Sequence, residues 1–134
     1  MDTTIWSLSL RRKHPRPKEK VLIDELSELI QEHRAVLIGL IRQEVLSGIP
    51  SQASFEVVKQ HLAVFSDFPI EQSDYEEAAR YFNTCRSKGV QGSHVDFLIC
   101  AVATRYSISI FTTDKDFINY RKYLDFELYE PRKA

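Results

Sequence analysis

The segment HVDFLICAVATRYSISIFTTDKDF, residues 94–117, decides the expected fold of this chain. Its first half is apolar on nearly every side, which is typical of a buried helix. It continues into a short apolar run at 108–111, typical of a buried strand, and ends at Asp114 and Asp116. A buried helix that leads into a buried strand indicates an α/β domain built on a mostly parallel sheet.

The rest of the chain repeats this alternation. Apolar residues at helical spacing predict helices over 18–34, 39–46, 54–65 and 73–88, with Ser73 and Glu76 as a capping box on the last of them. Short apolar runs predict strands over 35–38 and 126–129 and an extended segment over 68–70, while 2–10 suits either a short helix or a strand.

Length and composition set the class of protein. The chain has 134 residues and a net charge of −1, which predicts a single domain, 1–134, and argues against nucleic-acid binding by general electrostatics. It contains no apolar run of the ~18–20 residues that span a bilayer and no secretory leader, so we expect a cytoplasmic protein without membrane contact. Cys85 and Cys100 fit reduced, packed thiols, because neither belongs to a CxxC pair.

Basic residues are concentrated between positions 11 and 20. They are Arg11, Arg12, Lys13, Arg16, Lys18 and Lys20, opposed only by Glu19. One interpretation is a solvated loop broken by two prolines. The other is an edge in which Arg11, Arg12 and Lys13 contact RNA phosphates, and it depends on a phosphodiester site nearby.

Acidic residues recur at equivalent places, just after a strand or in the first turns of the following helix. They are Asp2, Glu44, Asp96 and Asp114, with Asp116 two residues further on. In open α/β sheets, ligands bind beyond the carboxyl ends of the strands. Each acid alone also has an ordinary explanation, as a cap, a turn residue, a solvated helix residue or a partner of the helix dipole.

Taken together, the acids point to a metal. Asp96 lies in an apolar helix with no basic partner in that helix before Arg105, so its burial is unfavourable. Converging carboxylates also raise one another's pKa. Mg²⁺ or Mn²⁺ relieves both problems and suits phosphodiester hydrolysis. The four histidines lack a metal-ligand spacing, and His94 is more readily explained without a role in the pocket.

Four stretches in series resemble the PIN domain, and more narrowly the VapC-type toxins of bacterial toxin–antitoxin systems. They are DTTIW (2–6), RQEVLSGI (42–49), GSHVDFLICAVA (92–103) and FTTDKDF (111–117), and they cover essentially the whole chain in the family's order. The resemblance implies a three-layer α/β/α fold with a short, mostly parallel central sheet.

The same resemblance implies a metal-dependent ribonuclease. Its catalytic acids would be Asp2, Glu44, Asp96 and Asp114, and its metal contacts Asp2, Asp96, Asp114 and, through water, Asp116. Thr4 and Thr112 match small hydroxyl positions that orient a carboxylate or a water. It further implies Mg²⁺ or Mn²⁺ as cofactor, RNA as substrate, a homodimer, and a cognate antitoxin that blocks the site.

One departure from the family pattern concerns the first strand. Relatives usually carry several apolar residues before the first acid, whereas only Met1 precedes Asp2 here, so we expect a truncated first strand. Two alternatives to the nuclease remain open. The first is a binding or dimerisation module on the same scaffold. The second is a Mg²⁺-dependent phosphoryl-aspartate protein, which the Thr-Thr pair after Asp2 disfavours.

Overall fold

The computed structural model describes residues 4–6, 28, 32, 35–65, 67–112 and 114–130. Its strands are β1 (Thr4–Trp6), β2 (Ala35–Val36) and β3 (Ser109–Phe111), and its helices are α1 (Gly39–Ser47), α2 (Gln52–Leu62), α3 (Gln72–Ser87), α4 (His94–Arg105) and α5 (Asp116–Arg121). Most of the predicted helix 18–34, the basic stretch 11–20 and Asp2 lie outside the described residues.

The sheet is parallel, as predicted. Its strand order is β2-β1-β3, and Ile5 of the central strand lies opposite Val36 on one side and Ile110 on the other. Parallel strands present their carboxyl ends at one edge of the sheet, so the starts of α1 and of the segment after β3 lie at the same edge. The expected truncation before β1 concerns residues outside the described part and stays a prediction.

The predicted strand over 126–129 is wrong. The chain there makes one isolated parallel bridge, between Leu128 and Ile110. Ile110 donates its N–H to the Glu127 carbonyl at 2.8 Å and accepts from the Tyr129 N–H at 2.7 Å. Only Ile110 of β3 takes part in that bridge, so the pairing does not extend into a strand.

Helix α4 forms the centre of the core. All seven residues from Phe97 to Ala103 are buried, as the apolar run predicts. Cys85 and Cys100 are free, buried thiols, which confirms the prediction for both, and burial raises the pKa of each. Within the described ranges, no helix is long and apolar enough to cross a membrane.

The start of α3 differs from the prediction. The helix begins at Gln72, and the capping box is formed by Glu71 and Asp74 instead of Ser73 and Glu76. Glu71 donates its backbone N–H to Asp74 Oδ2 at 2.9 Å. The Asp74 carboxylate also has a distant partner, Arg105 at the end of α4.

The Asp74–Arg105 pair joins α3 to α4. Asp74 is only 2% exposed, and Arg105 donates from Nε to Oδ1 and from Nη2 to Oδ2, both at 2.7 Å. The guanidinium also donates to the Pro69 carbonyl at 3.2 Å and lies 4.0 Å from the centre of the Tyr106 ring. These two parallel hydrogen bonds between a guanidinium and a carboxylate fix the position of α3 relative to α4.

We expect the stability of the protein to fall in acid because of this pair. Burial alone raises the pKa of Asp74, but the hydrogen bonds from Arg105 and Glu71 and the charge of Arg105 outweigh it, so the pKa lies below its ordinary value. A depressed folded-state pKa gives stability that is present above the unfolded value of about 3.9 and is lost as the pH falls through the folded value.

Thermal melts between about pH 6 and about pH 2 measure this effect. Asp74→Asn is expected to lose roughly 1.5–3 kcal/mol of stability near neutral pH and to show a flatter profile below about pH 4. Wild type and variant with parallel profiles across that range would show that Asp74 does not control the acid transition.

Candidate active site

Asp96 lies at the carboxyl edge of the sheet, in the first turn of α4. Ser93 caps this helix, because its Oγ accepts the backbone N–H of Asp96 at 3.1 Å. The helix start therefore places the Asp96 carboxylate at the positive end of the helix dipole.

Asp114 lies just beyond β3 and is held by its neighbours. Its backbone N–H donates to Thr112 Oγ1 at 3.1 Å, and its Oδ1 accepts the backbone N–H of Asp116 at 2.9 Å. Thr112 thus fixes the backbone that carries the acid, and the start of α5 fixes the carboxylate. Asp116 itself is exposed.

Three of the predicted acids, Asp96, Asp114 and Glu44, lie close enough for their charges to interact. Burial raises the pKa of Asp96, and the negative charges of Asp114 and of Glu44 on α1 raise it further, while hydrogen bonds from Tyr120 and Ser93 act in the opposite direction. In the part of the chain that the structure describes, no Lys or Arg forms an ion pair with Asp96 or Asp114. Arg105, the basic residue of the same helix, pairs with Asp74 instead.

Tyr120 is a site residue that sequence reasoning missed. Its hydroxyl donates to Asp96 Oδ2 at 2.8 Å, and its side chain is fully buried. Burial raises the pKa of Tyr120, and the hydrogen bond to Asp96 raises it further, so the phenol stays a neutral donor. Its spacing with Phe117 on α5 predicts only core packing, so the sequence carries no signal of this contact.

Gly92 is glycine because Tyr120 fills the space beside it. A Cβ on Gly92 would lie 2.4 Å from the Tyr120 hydroxyl oxygen. The glycine of the GSHVD stretch therefore admits the side chain that holds Asp96.

The described acids fit a hard divalent cation by their chemistry. All are carboxylates, they repel one another, and Mg²⁺ commonly uses one or two protein carboxylates with water and phosphate oxygens. No three His, Cys, Asp or Glu side chains within the described ranges are grouped closely enough to hold a metal. Asp96 and Asp114 are the two that suit the role, and Asp2 lies outside these ranges.

The remaining predicted site residues are placed as follows. Thr4 pairs through its backbone with Ala35 and Ser109 in the sheet. His94 is exposed and stacks its ring on Phe82, with the centroids 4.9 Å apart. Arg11, Arg12 and Lys13 lie outside the described residues.

Comparison with known proteins identifies the family. A sequence model of the PIN domain matches residues 1–123, so the chain belongs to the PIN domain family, whose members are in general nucleases. No curated protein matches the sequence significantly.

Eight chains of solved structures match the fold. One belongs to the crystal structure of FitAcB from Neisseria gonorrhoeae; it aligns with a TM-score of 0.75 over 98% of this chain and 100% of that chain, at 16% identity. At that identity the likeness establishes the PIN fold, and the predicted α/β class is confirmed.

Proposed function

We propose that this chain is a Mg²⁺- or Mn²⁺-dependent endoribonuclease. The observation that carries the proposal is the Asp96 carboxylate, which is raised in pKa by burial and by the charges of Asp114 and Glu44 and has no basic partner among the described residues. A partly buried carboxylate with like-charged neighbours is unfavourable in the protein without a bound ion, and a bound cation would stabilise it. The PIN family supports the nuclease class.

In this proposal, Asp96 and Asp114 hold the metal together with Asp2, and Asp116 contributes through water. When bound, the divalent cation neutralises charge on the scissile phosphate and lowers the pKa of a water nucleophile. The Tyr120 hydroxyl and Ser93 keep Asp96 aimed at the site, and Thr112 does the same for the backbone of Asp114.

Four other residues complete the proposed roles. Glu44 is exposed on α1 and its charge acts on Asp96, which supports a role as acceptor of a hydrogen bond from the attacking water. Arg11, Arg12 and Lys13 supply phosphate contacts, which makes RNA binding weaken as salt rises.

The biological setting we propose is that of a VapC-type toxin. Its support is the resemblance of the four motifs to that group, while the likeness to a FitAcB chain supports only the scaffold. It follows that the chain acts in the cytoplasm as a homodimer and is blocked by a cognate antitoxin. The free thiols of Cys85 and Cys100 agree with a reducing compartment.

Purified protein is expected to cleave a mixed RNA pool with MgCl₂ or MnCl₂ and to lose that activity in EDTA. The physical reason is that a divalent cation held by the acids would neutralise the phosphoryl charge that develops in the transition state. For the variant Asp96→Asn, the matched control is Asp125→Asn. Asp125 is exposed and contacts Thr104 at the far end of α4 through its backbone oxygen.

Each other outcome has a distinct meaning. Cleavage that persists in EDTA would contradict the metal site. A folded protein that neither cleaves RNA nor binds Mn²⁺ would favour the binding module instead. Modification by acetyl phosphate would favour the phosphoryl-aspartate protein.

A further inference from the structure

A cleft adjoins the acidic site. It has a volume of about 290 Å³ and is lined by Phe82, Arg86, Val90, Gln91 and Gly92, from the last turns of α3 and the loop that leads to α4. Gly92 also lies against the Tyr120 hydroxyl, whose hydrogen bond goes to Asp96. One hydroxyl group therefore separates the wall of the cleft from the Asp96 carboxylate.

The main wall of the cleft is aromatic and rigid. The Phe82 ring stacks on His94 at an interplanar angle of 17° and meets the Phe97 ring edge-on, with centroids 5.8 Å apart. These contacts fix the plane of Phe82. A fixed aromatic ring in the wall of a cavity can contact a nucleobase by stacking or edge-on.

Arg86 gives the same wall a positive charge. Its guanidinium carbon lies 5.9 Å from the centre of the Phe82 ring, and the side chain is exposed. In the described part of the chain, Arg86 forms no ion pair. A planar cation next to an aromatic ring suits both a phosphate oxygen and the face of a base.

Two further residues complete the cleft. Gln91 is exposed at its rim and has an amide that both donates and accepts hydrogen bonds, as base edges require. Val90 adds an apolar surface and is half-buried. The aromatic ring, the guanidinium and the amide together match a nucleobase with its phosphate.

We propose that this cleft binds the nucleobase of a nucleotide next to the scissile phosphate in single-stranded RNA. The inference rests on the proposed ribonuclease function, which places the phosphate at Asp96 and Asp114. The substrate is single-stranded because a base must leave its stack and its pairing partner to enter a cleft of this kind.

The test compares Arg86→Gln and Gln91→Ala with Arg80→Gln. Arg80 is the matched control, because it lies on the same helix, is exposed and carries the same charge. Its guanidinium pairs with Glu77. The probes are a fluorescent single-stranded oligoribonucleotide and an abasic strand of equal length. Binding is followed by anisotropy in EDTA and in MgCl₂, and cleavage of the first strand by single-turnover kinetics.

Wild type is expected to bind the strand with bases at least about tenfold more tightly than the abasic strand. Arg86→Gln is expected to remove most of that preference and Gln91→Ala part of it. Both variants should raise the concentration for half-maximal cleavage more than they lower the maximal rate. Arg80→Gln should keep the preference for the strand with bases and should weaken the binding of both strands about equally.

The outcomes separate this inference from the proposed function. Metal-dependent cleavage with Arg86→Gln and Arg80→Gln behaving alike would overturn the cleft and leave the nuclease. Base-dependent binding that needs Arg86, without cleavage, would support the cleft and overturn the nuclease. A wild type that neither binds nor cleaves either strand would overturn both.

Discussion

Asp96→Asn is expected to reduce metal-dependent RNA cleavage by at least about a thousandfold while the protein stays folded. Asparagine keeps the shape of the side chain and still accepts the Tyr120 hydrogen bond, but it removes the charge that a cation requires. It also removes the charge that burial, Asp114 and Glu44 disfavour. We therefore expect the metal-free variant to melt at or above the wild-type temperature.

Single-turnover cleavage and a thermal melt of the same preparations measure both halves of this prediction. Asp125→Asn should cleave RNA like wild type, because it alters an exposed carboxylate at the other end of α4. Equal cleavage by wild type and Asp96→Asn would point to a contaminating nuclease or to a different site. Loss of cleavage with an unfolded variant would instead make Asp96 a structural residue.

Gly92→Ala is expected to destabilise the protein by about 3 kcal/mol. The new Cβ would lie 2.4, 2.7 and 2.8 Å from Oη, Cζ and Cε1 of Tyr120. These atoms belong to a fully buried ring packed between Phe97 and Phe117, with centroids 4.8 and 5.3 Å away. The ring cannot yield without breaking its hydrogen bond to Asp96, so cleavage is expected to fall as well.

Urea denaturation provides the measurement, with Gly39→Ala as the matched control. A Cβ on Gly39, the first residue of α1, meets Asp67 Oδ2 at 3.4 Å, an ordinary contact. Alanine also favours a helix over glycine, so the control is expected to be neutral or stabilised. Equal stabilities of Gly92→Ala and wild type would show that the Tyr120 ring has room to move.

The elements that carry the fold could be predicted because their signals are local. The apolar runs that became α4 and β3 require burial wherever they lie, and Gly89, with a φ of 78°, ends α3 where a helix stop was expected. The edge that gathers Asp96, Asp114 and Glu44 follows from parallel topology, because carboxyl ends of parallel strands meet.

The misses have a common cause in partners that lie far away in sequence. Asp74 caps α3 together with Glu71 and binds Arg105, 31 residues away, and periodicity reveals neither partner. Tyr120 reaches Asp96 across 24 residues through one hydroxyl. Arg42 was predicted only as part of a motif, yet it donates to the carbonyls of Leu62 and Phe65 and pairs with Asp67.

Arg42 shows why such roles escape a sequence. Its guanidinium joins α1 to the end of α2 by binding the carbonyls of Leu62 and Phe65 at 2.9 and 3.0 Å. Backbone acceptors are present at every residue, so only the fold determines which of them an arginine meets. Charge and spacing alone describe an exposed helical residue.

The most direct test of the account is Mn²⁺ binding by wild type, Asp96→Asn and Asp125→Asn. Binding is measured by calorimetry and by the electron paramagnetic resonance of free Mn²⁺. It examines the acids without requiring an RNA target. Wild type and Asp125→Asn are expected to bind Mn²⁺ with equal affinity, and Asp96→Asn to bind it at least about tenfold more weakly. Equal affinity in all three proteins, or no binding by folded wild type, would contradict a metal site at the carboxyl edge of the sheet.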